Sequence, residues 1–572
     1  MVGDWLAPPP SPLRASSSRS TRRAEGGDFY LATSGDLTWP PVGTFPWPWT
    51  HRPGLDRSFY AEMTQLNPCQ GNHYQWPKSG TSQTTLGHDR PVNPTAKKGG
   101  ARGQPVREAN GLPLWLRLAA PALVLLAASM KSLGPVKDPD TFWHIASGDW
   151  LRQSWQFSGP DPWSTASTRP WTLHEWLPQL LLSWVEQHYG LAGVAWLLPA
   201  GVAAVMLSVL CACRQGASLL VSGVITALAF LAMAGSVSVR PQIVTFALTA
   251  LFVSAWLRTK QDQKARWWLI PLTWIWACSH GMWFIGVVVG VAALAGIVIG
   301  RNCTRETFMR LAVVPAGSVV AAALTPSGPR LLLAPLEVGG YTKYVTEWAP
   351  PTLSDPQFLS FLVLVAIPVI IWARRERKTS WTYLLLLGVG LAVGLAYSRT
   401  VAVGAAITAP LAAQALQTVT DRPVEAVTRA ERLLMAASVT LALTITAGLA
   451  PSVASSPSGV PNALNAPLDA LPDGTVLCND YRVGGWLIWR HRDLHPTIDG
   501  RTEIYTPDHV RGFVAFYGAA PGWQRYVKES ECSYALLASG APGVEALKVQ
   551  LAWQEVAAGD GYTLLRPGDA SP

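Results

Sequence analysis

The sequence predicts an α-helical polytopic membrane protein that ends in a small α/β domain, and three observations lead there. Hydrophobic residues make up 49% of the 572-residue chain and charged residues only 14%, where ordinary soluble domains carry about 25% charged residues. Apolar stretches of about twenty residues, long enough to cross a bilayer, recur from Leu114 onward. The basic residues fall in short clusters between those stretches, so the net charge of +9 encodes orientation rather than affinity for nucleic acid.

Residues 1–110 are rich in Pro, Gly, Ser, Thr and Arg and show no sustained period. Such a composition buries no core, and a disordered cytoplasmic tail is expected. Residues 111–455 form the transmembrane part. Roughly eleven spans are expected, near 114–130, 190–212, 217–237, 241–257, 267–279, 282–300, 308–325, 357–373, 381–397, 400–417 and 432–452. Basic clusters alternate with them: Arg258 to Arg266, Arg301 to Arg310, Arg374 to Lys378, and Arg422 to Arg432. The positive-inside rule places these clusters and the N-terminus in the cytoplasm. The other loops, 131–189, 238–240, 279–281, 326–356, 398–399 and everything after 453, then face outward from the plasma membrane.

The first outward loop, 131–189, is about sixty residues long, and loops of that size are commonly functional. It opens on Asp138-Pro139-Asp140-Thr141-Phe142-Trp143-His144. Proline biases the residue before it toward extended backbone, and residues two apart on an extended segment share a face, so Asp138 and Asp140 converge on one cation or one hydroxyl. Asp140 is also placed to cap a helix over 141–153, with His144 one turn further along the same side. Trp143, Trp150 and Trp155 suit the headgroup region. His174-Glu175-Trp176 follows, and Pro178 to Tyr189 continue as an amphipathic or re-entrant segment into the second span.

Further ionisable residues collect in the outward loops: Arg240, His280, Glu347 and Arg399. Snorkelling accounts for any one of them alone. Arg240 and Arg399, however, run against the positive-inside pattern, and acids and bases gathered on one face read as a site.

Over 460–572 the pattern changes to a small α/β domain on the outer side. Thr475–Asn479, Pro496–Ile498 and Tyr534–Ala538 read as strands, 507–518 and 542–550 as helices, and Gly559-Asp560-Gly561 as the turn of a closing hairpin. Of the seven cysteines, Cys478 and Cys532 lie here, where an oxidising compartment permits a disulfide; Cys211 and Cys213 read as packing residues.

The first-loop motif through Gly148, with Asp161-Pro-Trp-Ser164 and His174-Glu-Trp176, resembles a group of bacterial polytopic proteins of the GT-C glycosyltransferase type. These are distant relatives of oligosaccharyltransferase catalytic subunits and protein mannosyltransferases. Trp276-Ala-Cys-Ser-His280-Gly281 is similar to that group's Trp-Ala-Asn-x-His-Gly segment, with Cys278 where the group carries Asn. Thr325-Pro326, Glu347-Trp348 and Asp499-Gly500-Arg501 also match, so the resemblance spans 114–567. It implies a GT-C-like fold and a sugar donor on polyprenyl phosphate. It also implies an aspartate in the first outward loop that acts as general base or helps to hold a divalent cation, Mg or Mn; Asp138 and Asp140 match that position.

The expected activity is transfer of the sugar to an envelope glycan, lipid or protein acceptor. Asp138, Asp140 and Glu175 are the expected catalytic carboxylates, and Asp138 and Asp140 the expected metal ligands. His144, His174, Arg240, His280, Glu347 and Arg399 are the expected substrate-binding residues. A transporter or a non-catalytic envelope-assembly protein is the alternative. In either, the same acids cap helices and the arginines pair with Glu175 and Glu347 to hold spans together. The Asp499-Gly500-Arg501 turn, with Glu503, is read as an ion-paired structural turn.

Overall fold

The computed structural model of the protein describes residues 114–568 except 302, 334–347, 376–377 and 421–423. The tail expected over 1–110 and Glu347 lie outside the described residues. The membrane part runs through α1 (Leu114–Ser132), α2 (Pro139–Ser154), α3 (Trp176–Cys213), α4 (Leu219–Met233), α5 (Gln242–Asp262) and α6 (Leu269–Ala277). It continues with α7 (Phe284–Ile299), α8 (Arg305–Ala323), α9 (Pro356–Ala373), α10 (Trp381–Ala396), α11 (Val401–Gln417) and α12 (Arg429–Val453).

Eight of the described helices are long and apolar enough to cross a membrane, and Ala119–Ser132 and Trp381–Ala396 are shorter apolar helices. The protein is a multi-pass membrane protein, with fewer full-length spans than the eleven expected. Two of the three missing are those shorter apolar helices, and the third is at 267–279. There α6 has nine residues, about 14 Å at 1.5 Å per residue, which is less than half of a hydrocarbon core of about 30 Å. It still returns the chain to the start of α5, where the Trp276 indole donates to Thr245 Oγ1 at 2.8 Å. The expected second span is also extended. α3 is 38 residues long and absorbs the segment before the span, with a break at Gly190 (φ 60°, ψ −163°) that a side chain would disfavour.

α11 is the central helix, 89% buried over its apolar window. It is built of Ala, Gly, Val and Thr because neighbours must come close: a Cβ on Gly404 would lie 2.8 Å from the Gly390 carbonyl and the Gly394 Cα. In lipid such contact, not water exclusion, holds helices together. The outer surface exposes Val224, Leu231, Val291, Val320, Val363 and Leu441, as a bilayer-covered surface does. At one end of the bundle Arg214 clamps α3 to α12, donating to Glu431 Oε1 at 2.7 Å and Oε2 at 3.1 Å.

α2 lies at the other end, and its start differs from expectation. Asp138, not Asp140, is the N-cap, accepting from Asp140 N, and Pro139 takes the first turn, where its missing N–H costs nothing. Thr141 Oγ1 donates to Val239 O at 2.8 Å, fixing α2 on the α4–α5 turn. A two-residue pair, β1 (Ser158–Gly159) and β2 (Trp171–Thr172), closes the rest of the loop.

After α12 come α13 (Asn465–Asp469), β3 (Val476–Asn479), α14 (Tyr481–Arg490), β4 (His495–Pro496), α15 (Pro507–Tyr517), α16 (Gln524–Glu529), β5 (Tyr534–Ala538), α17 (Pro542–Leu551), β6 (Gln554–Gly559) and β7 (Tyr562–Arg566). The strands form a mixed sheet in the order β4-β3-β5-β7-β6. The β6–β7 hairpin turns through Asp560 (φ 50°) and Gly561 (φ 80°), both left-handed as a tight hairpin turn requires. Cys478 of β3 and Cys532, just before β5, are joined in a disulfide, with Cα atoms 5.5 Å apart. Sequence periodicity did not reveal α14, whose two glycines weaken the helical signal.

This region does not stand apart from the first loop. Trp143, Ala146, Leu151, Trp171 and Leu173 share one apolar core with Tyr481, Ile488, Phe513 and Phe516. Phe142, Ile145, Leu182 and Val194 share another with Leu477, Val483 and Trp486. α2 is thus held between the bundle and the sheet region. Trp143, expected among headgroups, is buried there, whereas Trp155 is exposed.

Candidate functional site

At the N-terminal end of α2 three chain segments meet. The cap geometry of Asp138 and the first helical turn place two carboxylates beside the buried Arg240, which precedes α5. Arg240 Nε lies 2.8 and 2.7 Å from the two oxygens of Asp138, and Nη1 lies 3.2 Å from Asp140 Oδ2. The other Asp140 oxygen accepts from the Trp143 indole at 3.1 Å. One guanidinium thus bridges both carboxylates through charge-assisted contacts, Nε to Asp138 and Nη1 to Asp140.

The third segment comes from the sheet region. Gly500 sits directly on Asp140: an added Cβ would lie 1.9 Å from Asp140 Oδ1 and 2.8 Å from Trp143 Nε1. Gly485 of α14 approaches in the same way, with a Cβ position 2.3 Å from Pro139 O. Asp499 and Arg501, on either side of Gly500, are structural, as the sequence suggested, though with a different partner. Arg501 is paired with Asp499 at 2.7 Å and with Asp161 of the first loop at 2.5 Å. Its guanidinium lies 4.8 and 4.9 Å from the ring centres of Trp163 and Trp171, and Tyr505 OH donates to Asp499 at 2.7 Å. Glu503 is exposed on this turn and feels the Arg501 charge without a direct ion pair to it.

Glu175, the N-cap residue of α3, is the centre of a second cluster. Its Oε1 lies 3.7 Å from Nε2 of both His174 and His280, and its Oε2 lies 3.8 Å from His144 Nε2. Burial pushes the Glu175 carboxyl above the ordinary carboxylate range, against the opposing pull of His174, Arg399, the Gly281 N–H and Arg240. Burial, then Arg240 and the other cationic neighbours, pushes His144 well below its usual range, and burial with Arg399 does the same to His280. Both rings are therefore neutral at neutral pH.

Hydrogen bonding assigns the ring protons. Thr245 Oγ1 takes the Trp276 N–H and lies 2.9 Å from His280 Nδ1, which also accepts from Met282 N at 3.4 Å. Nδ1 is thus the acceptor, and Nε2–H is presented toward Glu175. In His174 the order is reversed. Nδ1 faces the Thr172 carbonyl at 3.4 Å and is the donor there, which turns Nε2 toward the same carboxylate. Gln179 holds His144 by Nδ1 at 3.1 Å.

Arg399 completes the rim: its Nε donates to Gln242 Oε1 at 3.1 Å, and its guanidinium stands 5.6 Å from the Trp348 ring centre. The structure thus brings Asp138, Asp140, His144, His174, Glu175, Arg240, His280 and Arg399 to one end of the bundle. Sequence reading missed Trp143, Gln179, Thr245 and Gln242, which orient them, and Gly500, which covers Asp140. The Asp499-Gly500-Arg501 motif was the signal available for the last.

Between Asp138 and Asp140, where a divalent cation would sit, the donor set faces the Arg240 guanidinium. Among the described residues no group of three His, Cys, Asp or Glu side chains is arranged to hold a metal ion. As placed, the two aspartates fit a guanidinium rather than a metal.

The fold and this site define a polytopic membrane protein with an acid–base cluster at one end of its helical bundle. No family model and no curated protein matches the sequence. Among solved structures, the chain is similar to the apo form of Archaeoglobus fulgidus oligosaccharyltransferase, with 13% identity, 74% of this chain and 69% of that one covered, and a TM-score of 0.49. It is similar to a mutant arabinofuranosyltransferase AftD from Mycobacteria, with 15% identity, 80% and 42% covered, and a TM-score of 0.44. It is also similar to ArnT from Cupriavidus metallidurans bound to undecaprenyl phosphate, with 13% identity, 80% and 98% covered, and a TM-score of 0.42.

Proposed function

We propose that the protein is an integral membrane glycosyltransferase that moves a sugar from a polyprenyl-phosphate donor to an envelope glycan, lipid or protein acceptor on the outer face of the plasma membrane. The observation that carries this reading is the juxtaposition, at one end of a lipid-facing bundle, of the largely buried Glu175 carboxyl with His174, His280, Arg240 and Arg399.

Glycosyl transfer needs a proton acceptor on one side of the anomeric carbon and positive charge on the other. As the acceptor oxygen bonds to that carbon, its proton leaves, and the bond from carbon to phosphate oxygen breaks with its electron pair retained by the lipid phosphate. A base works best when its proton affinity is near the operating pH. Of the three carboxylates, Glu175 suits that role, because burial raises its proton affinity and His174 Nε2 stands 3.7 Å away. His280 Nε2–H and Arg399 are suited to the phosphate, whose charge grows as the bond breaks. Asp138 and Asp140, through Arg240, hold the end of α2 in register, and Asp140 borders the space where an acceptor would enter.

Two features support an outward site. The Cys478–Cys532 disulfide belongs to the region packed on α2, and disulfides persist in oxidising compartments. The basic loops lie at the opposite end, as the positive-inside rule requires of a cytoplasmic face. A transport reading would place ionisable groups at bilayer depth; among the described residues the buried ones gather at the two ends.

The test is rescue of a null strain by wild type, Asp140→Asn or Glu175→Gln, with envelope glycans profiled and membrane levels matched. Glu175→Gln should lower transfer by about 10²–10⁴-fold, and the glycan missing from the null should stay missing. Full rescue by both variants overturns the reading. Chelation is a second check: with Arg240 between the aspartates, transfer by washed membranes should survive excess EDTA. Loss restored by Mg or Mn would instead make Asp138 and Asp140 cation ligands.

A further inference from the structure

A cavity lies away from the acid–base cluster, where α2, the first part of α3 and the loop after α14 meet. It has a volume of about 400 Å³ and is lined by Asp149, Arg152, Gln153, Glu186, Gln187 and Arg492. Such a volume lies within the usual range for small-ligand sites, but those are mostly apolar. Here every lining side chain is polar, and each presents two or more hydrogen-bonding atoms.

The lining is also balanced in charge. Arg492 Nη2 lies 2.5 Å from Asp149 Oδ2, and the other Asp149 oxygen takes the Ser183 hydroxyl at 2.6 Å. Arg152 donates to Ser183 Oγ at 3.1 Å and to Gln187 Oε1. The Trp489 indole donates to Glu186. Two cations facing two acids leave little net field to attract an anion, and with no apolar residue in the lining the cavity offers little to an acyl chain. What the surface does offer is planar, paired donors and acceptors, the geometry that meets neighbouring hydroxyls two at a time.

The cavity continues the seam that carries the candidate active site. α2 and the first part of α3 run side by side in the same direction: His144 faces Gln179, and eight residues further Arg152 reaches Ser183 and Gln187. Eight residues are about 12 Å of helix.

We propose that this cavity binds a neutral saccharide. Its assignment as the remote subsite for an acceptor glycan rests on the transfer reading above; the binding itself does not.

The test uses the full chain in nanodiscs and isothermal titration with maltotetraose, cellotetraose and mannotetraose. Saturable binding of at least one is expected, weakened at least tenfold by Gln187→Trp, which fills the cavity from an exposed position, and by Arg492→Ala. Asp140→Asn should bind as wild type does, which separates this site from transfer: a protein inactive in transfer that binds through Gln187 and Arg492 still supports the cavity. Three results overturn the proposal. These are no binding of any tetrasaccharide, binding indifferent to both variants, or native mass spectrometry showing a retained anionic phospholipid that Gln187→Trp releases.

Discussion

Two arginines in this molecule each hold a pair of aspartates, and the two arrangements serve different ends. Arg501 is fully buried with Asp161 and Asp499, packs against two indole rings that meet edge to face and is closed by the Tyr505 hydroxyl. Arg240 is nearly as buried, but its partner Asp140 keeps 11% of its side chain exposed and the Glu175–histidine cluster lies nearby. The first triad ties residue 161 of the loop to residue 499 of the sheet region and leaves no space for a reactant. The second ties α2 to the start of α5 and stands at an edge. Gly500 joins them, with one neighbour on each side in the sealed triad and its own Cα against Asp140. A sealed ion pair thus fixes the position of an open one.

This contrast can be broken most severely at the sealed triad. Arg501→Met should destabilise the protein by about 3–5 kcal/mol, because two buried carboxylates lose their partner. Thermal unfolding in detergent measures it, and a loss under about 1 kcal/mol would mean that the triad is not the clasp. Arg240→Lys retains charge but not the fork; it should lower the unfolding temperature less than Arg501→Met does and cut transfer at least tenfold.

Gly500→Ala probes the link between the triads. Its Cβ would collide with an Asp140 oxygen, and overpacking of this kind costs about 1–3 kcal/mol. Transfer should fall about tenfold as Asp140 is displaced, while Gly540→Ala, where an added Cβ meets nothing within 4 Å, should be silent.

The smallest effect is a pH dependence. Burial raises the Glu175 pKa above its ordinary 4.5, so the folded protein holds that proton more tightly than the unfolded chain. Stability is then lost as pH rises from the ordinary value through the raised one. Glu175→Gln removes that loss, so the melting temperature of wild type relative to the variant should decline across the window. A flat difference would mean that the carboxyl is solvated and unfit as the base proposed here.

Much of the site was legible because topology alone gathers it. Once alternating basic loops fix which turns share an end, Asp138, Glu175, Arg240, His280 and Arg399 must lie on one side of the bundle. Their pairing was not legible. Nothing in the sequence says that Arg240 chooses the two aspartates over Glu175, since that choice depends on where Asp138 points once it, rather than Asp140, caps α2. Cys478 and Cys532 were the evident disulfide candidates, and they pair. By contrast, Arg501 and Asp161 stand 340 residues apart, and no local pattern links them.

The sequence by itself determined the multi-pass helical class, the hairpin at Asp560-Gly561, the change to a mixed α/β region and the end of the bundle where acids and bases collect. These follow from hydrophobic length, charge alternation and turn chemistry, all of which act over a few residues. Only the tertiary structure decided that 267–279 makes a short limb, that the sheet region shares its apolar core with α2, and that Glu175 stands among three histidines. Those outcomes depend on close packing and on the desolvation of charges, which are set by residues hundreds of positions apart.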